Sequence, residues 1–190
     1  MKPVRKKQLM GILTVAGTIA LSLLLVSIPT DTLLEYLGTG NAYVFVYLIA
    51  LIGSISTFAS IPYPLILISL VAGGLNPLLA GILSALGVIT SDTFTFLVTR
   101  KGRTLLPART SASLSKTAVW LKKHPKLFTP CLALYGVFSP LSNDFAVISL
   151  ALMRYSFWQV VPVLAIGNFT YNIAVAFLGE YAYDWIMNLL

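Results

Sequence analysis

The chain has 190 residues, of which 57% are hydrophobic and 10% charged, with a formal net charge of +7 and a mean hydropathy of +0.87. Soluble domains carry about a quarter of their residues as charges, so this composition excludes an ordinary soluble fold and describes an all-α integral membrane protein of one domain. The excess of cations is read as membrane topology rather than nucleic-acid binding, because no basic stripe is interleaved with base-stacking aromatics, and the single Cys131 has no CxxC partner for a disulfide or a zinc site.

Within residues 1–41, Lys2, Arg5, Lys6 and Lys7 precede an uncharged run, 9–28, of the length that crosses a bilayer. No A-x-A-like cleavage site follows before Pro29, so an uncleaved transmembrane helix is expected rather than a signal peptide. A short polar link with Asp31 and Glu35 leads to 42–74, where Pro62 and Pro64 break an apolar run. The arm after the break reaches only about 15 Å as a helix, half the hydrocarbon core. Residues 42–74 are therefore expected to form a re-entrant helical hairpin, with a full crossing by 42–61 as the alternative. A complete span, 78–98, follows, opened by Asn76-Pro77, where the missing proline donor costs nothing.

Residues 99–126 hold Arg100, Lys101, Arg103, Arg109, Lys116, Lys122, Lys123 and Lys126 and no acid. The positive-inside rule places this linker in the cytoplasm with the N-terminus. Leu114, Ala118 and Leu121 recur at helical spacing, with Lys116, Trp120 and Lys123 on another face, which predicts an amphipathic helix on the inner leaflet. A solvated loop is the other reading. Residues 127–153 form a second expected hairpin, broken at Pro140 among Ser139, Ser142, Asn143 and Asp144. Carbonyls freed by such a break at membrane depth must be buried in protein or line a wet cavity. The last span is expected over 157–179, followed by a short interfacial tail, 180–190, with Trp185 as an anchor.

Shifting the chain by eighty places lays Ile68-Ser69-Leu70 on Ile148-Ser149-Leu150, Ala85 on Ala165, Gly87 on Gly167, Thr90 on Thr170 and Asp92 on Asn172. Break, short arm, polar junction and long helix thus occur twice in the same order, the pattern of an inverted repeat of hairpin plus transmembrane helix behind one N-terminal transmembrane helix. With both hairpins re-entrant, all 13 Lys and Arg face the cytoplasm and Asp31, Glu35, Glu180 and Asp184 face outward. This describes a multi-pass cell-membrane protein with a cytoplasmic N-terminus.

The segments IPYPLILISLVAGGLNP, SPLSNDFAVISLALMRYSFW and IGNFTYN, in this order around a basic linker, resemble the DedA or VTT-domain membrane proteins, also called SNARE-associated Golgi-type. The likeness covers 42–179, and RKGR at 100–103 is similar to the family's Gly-Arg junction. The resemblance implies scrambling or flipping of lipids or lipid carriers, linked in bacteria to the proton gradient. Better-known bacterial members carry acids around the first break and arginines around the second. This chain instead has Ser54, Ser56, Ser60 and Pro64 at the first and Val137 and Asn143 at the second, with Asp144 keeping an acidic element.

Carboxylates are expensive at a helix centre in lipid, so Asp144 and Asp92 are the candidate transport or proton-linked residues, Asp144 leading. Their structural alternatives are a helix cap at Asp144 and hydration near the inner interface, two turns from Arg100, at Asp92. Ser139, Ser142, Asn143 and Asn172 are expected to line a polar groove, with Pro62, Pro64 and Pro140 as the hairpin breaks. Arg103, Lys116, Lys122, Lys123 and Arg154 are expected at lipid head groups. Asn168-Phe169-Thr170 matches a glycosylation pattern but lies inside a span, and His124 reads as a solvated cap. No catalytic constellation, phosphate loop, metal site or cofactor motif is present, so an enzyme is not expected. The expected function is lipid transport, as a scramblase or flippase for phospholipid or lipid-carrier phosphate, with membrane lipids, anionic ones foremost, as partners. The alternatives are a proton-coupled transporter of a small cation or drug and a non-transporting membrane organiser; homo-oligomerisation is left open.

Overall fold

A computed structural model of the protein describes residues 38–55, 63–102, 125–138 and 143–187. Among them the chain is wholly helical: α1 Thr39–Ile55, α2 Tyr63–Ala72, α3 Pro77–Gly102, α4 Pro125–Phe138, α5 Asn143–Leu152 and α6 Phe157–Met187. Two of these, Pro77–Gly102 and Phe157–Tyr181 within α6, are long and apolar enough to cross a membrane. The expected N-terminal helix, the first break with Pro62, most of the basic linker with Arg103, Lys116, Lys122 and Lys123, and the second break with Ser139, Pro140 and Ser142 lie outside the described residues.

The helix starts follow from local chemistry. Asn76 caps α3 by accepting the Leu79 N–H on its Oδ1 at 3.0 Å, with Pro77 in the first helical position. At α6, Ser156 and Gln159 act as a capping box: the Gln159 side chain accepts the Ser156 N–H at 3.2 Å, and the Gln159 N–H reaches the Ser156 carbonyl at 3.1 Å. Pro64 is the second residue of α2, inside its first turn rather than in the break before it. Pro130 and Pro162 lie within α4 and α6, where no break was expected, and most of the expected tail continues α6 as far as Met187.

Both short helices end in the same turn. After α2, Gly74 N–H reaches Val71 O at 2.9 Å and Leu75 N–H reaches Leu70 O at 3.2 Å; after α5, Arg154 N–H reaches Ala151 O at 3.2 Å and Tyr155 N–H reaches Leu150 O at 3.1 Å. Each pair is a Schellman motif, and the two motifs are eighty residues apart at every atom named. The left-handed position is Gly74 (φ 108°) in the first and Arg154 (φ 66°) in the second. The residues that follow, Leu75 and Tyr155, are both buried.

The two long helices pack against each other over much of their length and run antiparallel, since Gly81 meets Ile173, Asp92 meets Asn168 and Phe96 meets Phe157. Around this pair, α1 lies on α3 and α4 on α6, while the short helices cross over, α2 onto α6 and α5 onto α3. Helix α1 runs parallel to α3, tied by the Tyr43 hydroxyl accepting the Asn76 N–H and by Tyr47 donating to Thr90. Close approach depends on two equivalent glycines. A Cβ at Gly87 would strike the Tyr47 carbonyl of α1, and one at Gly167 would lie 2.8 Å from the Gly136 backbone of α4.

Two apolar clusters result. One gathers Phe96, Phe128, Leu132, Val147, Leu150, Val160 and Leu164, and the other Ala42, Val46, Ile66, Leu67, Leu70, Ala80, Val175 and Ala176. The outside of the bundle is apolar as well. In α1, Ala42, Val46 and Ala50 form a buried stripe, but Val44, Leu48 and Ile52 form an equally apolar exposed one. Phe138 is 76% exposed and Trp158 78%. A helix apolar all round belongs in the middle of a large core or in lipid.

Candidate functional site

Between the two apolar clusters, at the crossing of α3 and α6, the interior turns polar. Along α3 the buried residues run from Ala80 through Ser84, Ser91 and Asp92 to Phe96; along α6 they run from Leu164 through Asn168 and Asn172 to Ala176. Asn168 and Asn172 are one helical turn apart and therefore share a face, as do Ser84 and Ser91, two turns apart.

Asp92, 1% exposed, is the hub. Its Oδ2 accepts the Asn168 side-chain amide at 2.9 Å and the Asn143 amide at 3.3 Å, and Asn143 also donates to Asn168 Oδ1 at 2.6 Å. One carboxylate oxygen is thereby held by donors from α6 and from the first residue of α5. Farther along the seam, Ser84 donates to Asn172 Oδ1 at 2.8 Å, and the Asn172 amide donates to the Asn168 carbonyl at 2.9 Å. Tyr63, at the start of α2, makes a side-chain hydrogen-bonding contact with Asn172.

Asp144 lies in the first turn of α5, buried, where the helix dipole favours a negative charge. Its carboxyl is close enough to act electrostatically on that of Asp92. Oδ1 of Asp92 and the hydroxyl of Ser91 are buried with no hydrogen-bond partner among the described residues. Groups of three or more His, Cys, Asp or Glu suited to a metal ion are absent among the described residues.

No family model, curated protein or solved structure matches the chain.

Of the residues singled out from sequence, Asp92, Asn143, Asp144 and Asn172 come together in this seam. Pro64 stands at the start of α2, one residue beyond Tyr63. Arg154 sits apart, exposed in the turn before α6. The sequence reading missed Asn168, Ser84, Ser91 and Tyr63. Asn168 was passed over as part of a glycosylation pattern, although its spacing from Asn172 placed both amides on one helix face. Tyr63 carried a usable signal too, since it stands eighty residues before Asn143.

Proposed function

We propose that the chain is an integral membrane protein of the DedA or VTT-domain kind, an inverted repeat of two re-entrant hairpins and two spans. On this reading it moves lipid between leaflets as a scramblase or flippase. The supporting observation is the inversion of polarity: Asp92, Asp144, Asn168, Asn172, Ser84 and Ser91 are buried, while Val44, Leu134, Trp158, Ile166 and Leu178 are exposed. Apolar surface of this extent is costly in water and costless against acyl chains. Ionisable residues buried in such a bundle mark a pathway for polar cargo.

The packing fits the inverted-repeat reading. Antiparallel α3 and α6 each carry one arm from their own half and one short arm from the other. In transport folds of this kind, the ends of short helices meet at the repeat interface and hold the substrate or coupling ion. The first residues of α5 and α2, Asn143 and Tyr63, reach Asp92 and Asn172 in that manner. A head group crossing the bilayer must exchange its water contacts for others, and a polar seam that opens to lipid supplies them.

The experiment is reconstitution of the full chain into vesicles carrying labelled phospholipid or labelled lipid-carrier phosphate. Lipid of at least one class should equilibrate across the bilayer faster than in protein-free vesicles. Equal rates with and without protein, for both lipids, would refute lipid transport.

A further inference from the structure

We propose that the seam at Asp92 is a site for a monovalent cation, either a free inorganic ion or the ammonium of a lipid head group. The inference rests on the transport reading in treating the seam as the pathway, and it names the charge of what binds there.

The geometry has three parts. Asp92 is buried, and Oδ2 is saturated by two amide donors while Oδ1 has no partner among the described residues. A second carboxyl, Asp144, acts on it from α5. The described cationic side chains Arg100, Lys101 and Arg154 are all exposed, whereas Asp92 is buried. A buried carboxylate requires a compensating positive charge or a proton. A cation satisfies both the charge and the open oxygen. Among the described residues, the other groups around the site are neutral or acidic: Tyr63 from α2, Asn168 and Asn172 from α6, and Asn143 and Asp144 from α5. This surrounding repels a bare phosphate and attracts an ammonium or a small metal cation.

The test is thermal unfolding of the purified full chain in a non-ionic detergent at constant pH and ionic strength. Sodium, lithium, potassium, ethanolammonium or choline is titrated against the bulky cation N-methylglucamine. Saturable stabilisation by at least one of the five is expected. Asp92→Asn should weaken the apparent affinity by about tenfold or more, as expected for loss of a charged ligand. A response to the metal cations alone assigns a free ion, and a response to ethanolammonium or choline assigns a lipid head group. Identical curves for all cations, or an unchanged response in Asp92→Asn, would overturn the site. If Asp92→Asn does not fold, Asp144→Asn serves in its place: it keeps the Asp92 oxygen and should still weaken binding, and an unchanged affinity would overturn the site equally. Cation binding without lipid movement in vesicles would retain the site and refute transport; lipid movement without cation binding would do the reverse.

Discussion

The contact of Asn143 with Asp92 and that of Tyr63 with Asn172 occupy corresponding places, eighty residues apart at both ends, yet only the first contains an acid. The supports around them are shared: the Schellman turns coincide, and each long helix meets its arm at an equivalent glycine. The seam around Asn172 is closed by neutral partners, Ser84 and the Asn168 carbonyl. That around Asp92 retains an open carboxylate oxygen and a neighbouring acid. On the proposed repeat, a duplicated frame carries an unduplicated chemistry. One end of the seam holds the acids Asp92 and Asp144, and the other end holds the neutral counterparts Asn172 and Tyr63.

The comparison fails at its root if the halves are not inverted. In a Cys131→Ser background, single cysteines replacing Thr39 and Lys116 should label from opposite sides of the membrane on the proposed topology, in which the first hairpin does not cross and α3 does. Labelling of both from one side would remove the inverted repeat.

If the frame is duplicated, its two close crossings should be equally intolerant of bulk. Gly87→Val and Gly167→Val are each expected to destabilise by about 3 kcal/mol, because backbone rather than a flexible side chain occupies the space. Thermal unfolding in detergent measures both. Tolerance at one position and loss at the other would show that the crossings are not equivalent.

The chemical asymmetry is sharpened by truncating the two hubs. Asp92→Ala strands the Asn168 and Asn143 donors in a buried site, at a cost of about 2 to 3 kcal/mol. Asn172→Ala strands only Ser84 and the Tyr63 contact and should cost about 1 to 2 kcal/mol. The order of the two unfolding temperatures checks this, and the reverse order would place the structural hub at the neutral end of the seam.

The smallest effect concerns the turns. Arg154 holds a left-handed conformation that its counterpart Gly74 adopts freely, so Arg154→Gly should stabilise by about 1 kcal/mol and Gly74→Ala should destabilise by a similar amount. A destabilised Arg154→Gly would mean that the arginine side chain contributes more than its backbone strain costs.

Much of this frame was legible in the sequence. Asn76-Pro77 announced the start of α3, the double break placed the short arms, and the offset of eighty paired Asp92 with Asn172 before any packing was known. Helix ends were less legible, because an apolar chain lacks the polarity contrast that marks where a helix leaves its core; α6 ran past the expected end at residue 179 to Met187. Proline also misled. Pro64 joined a first turn, where its missing donor is harmless, and Pro130 and Pro162 were accommodated inside helices. At the site, both acids were found because a carboxylate is conspicuous in an apolar run. Asn168 was not, since an amide becomes informative only when the facing residue is known, and that residue lies on another helix.

The division between an acidic and a neutral end of the seam is tested most directly by lipid movement in reconstituted vesicles, compared for wild type, Asp92→Asn, Asp144→Asn and Tyr63→Phe at matched protein density. Both acid-to-amide variants should fold and move lipid about tenfold more slowly or worse, the scale of losing one charged hydrogen-bonding group. Tyr63→Phe should stay within about twofold of wild type, the scale of one neutral hydrogen bond at its weakest. Wild-type rates in Asp92→Asn and Asp144→Asn, or a loss in Tyr63→Phe as large as theirs, would contradict the assignment of function to the acidic end of the seam.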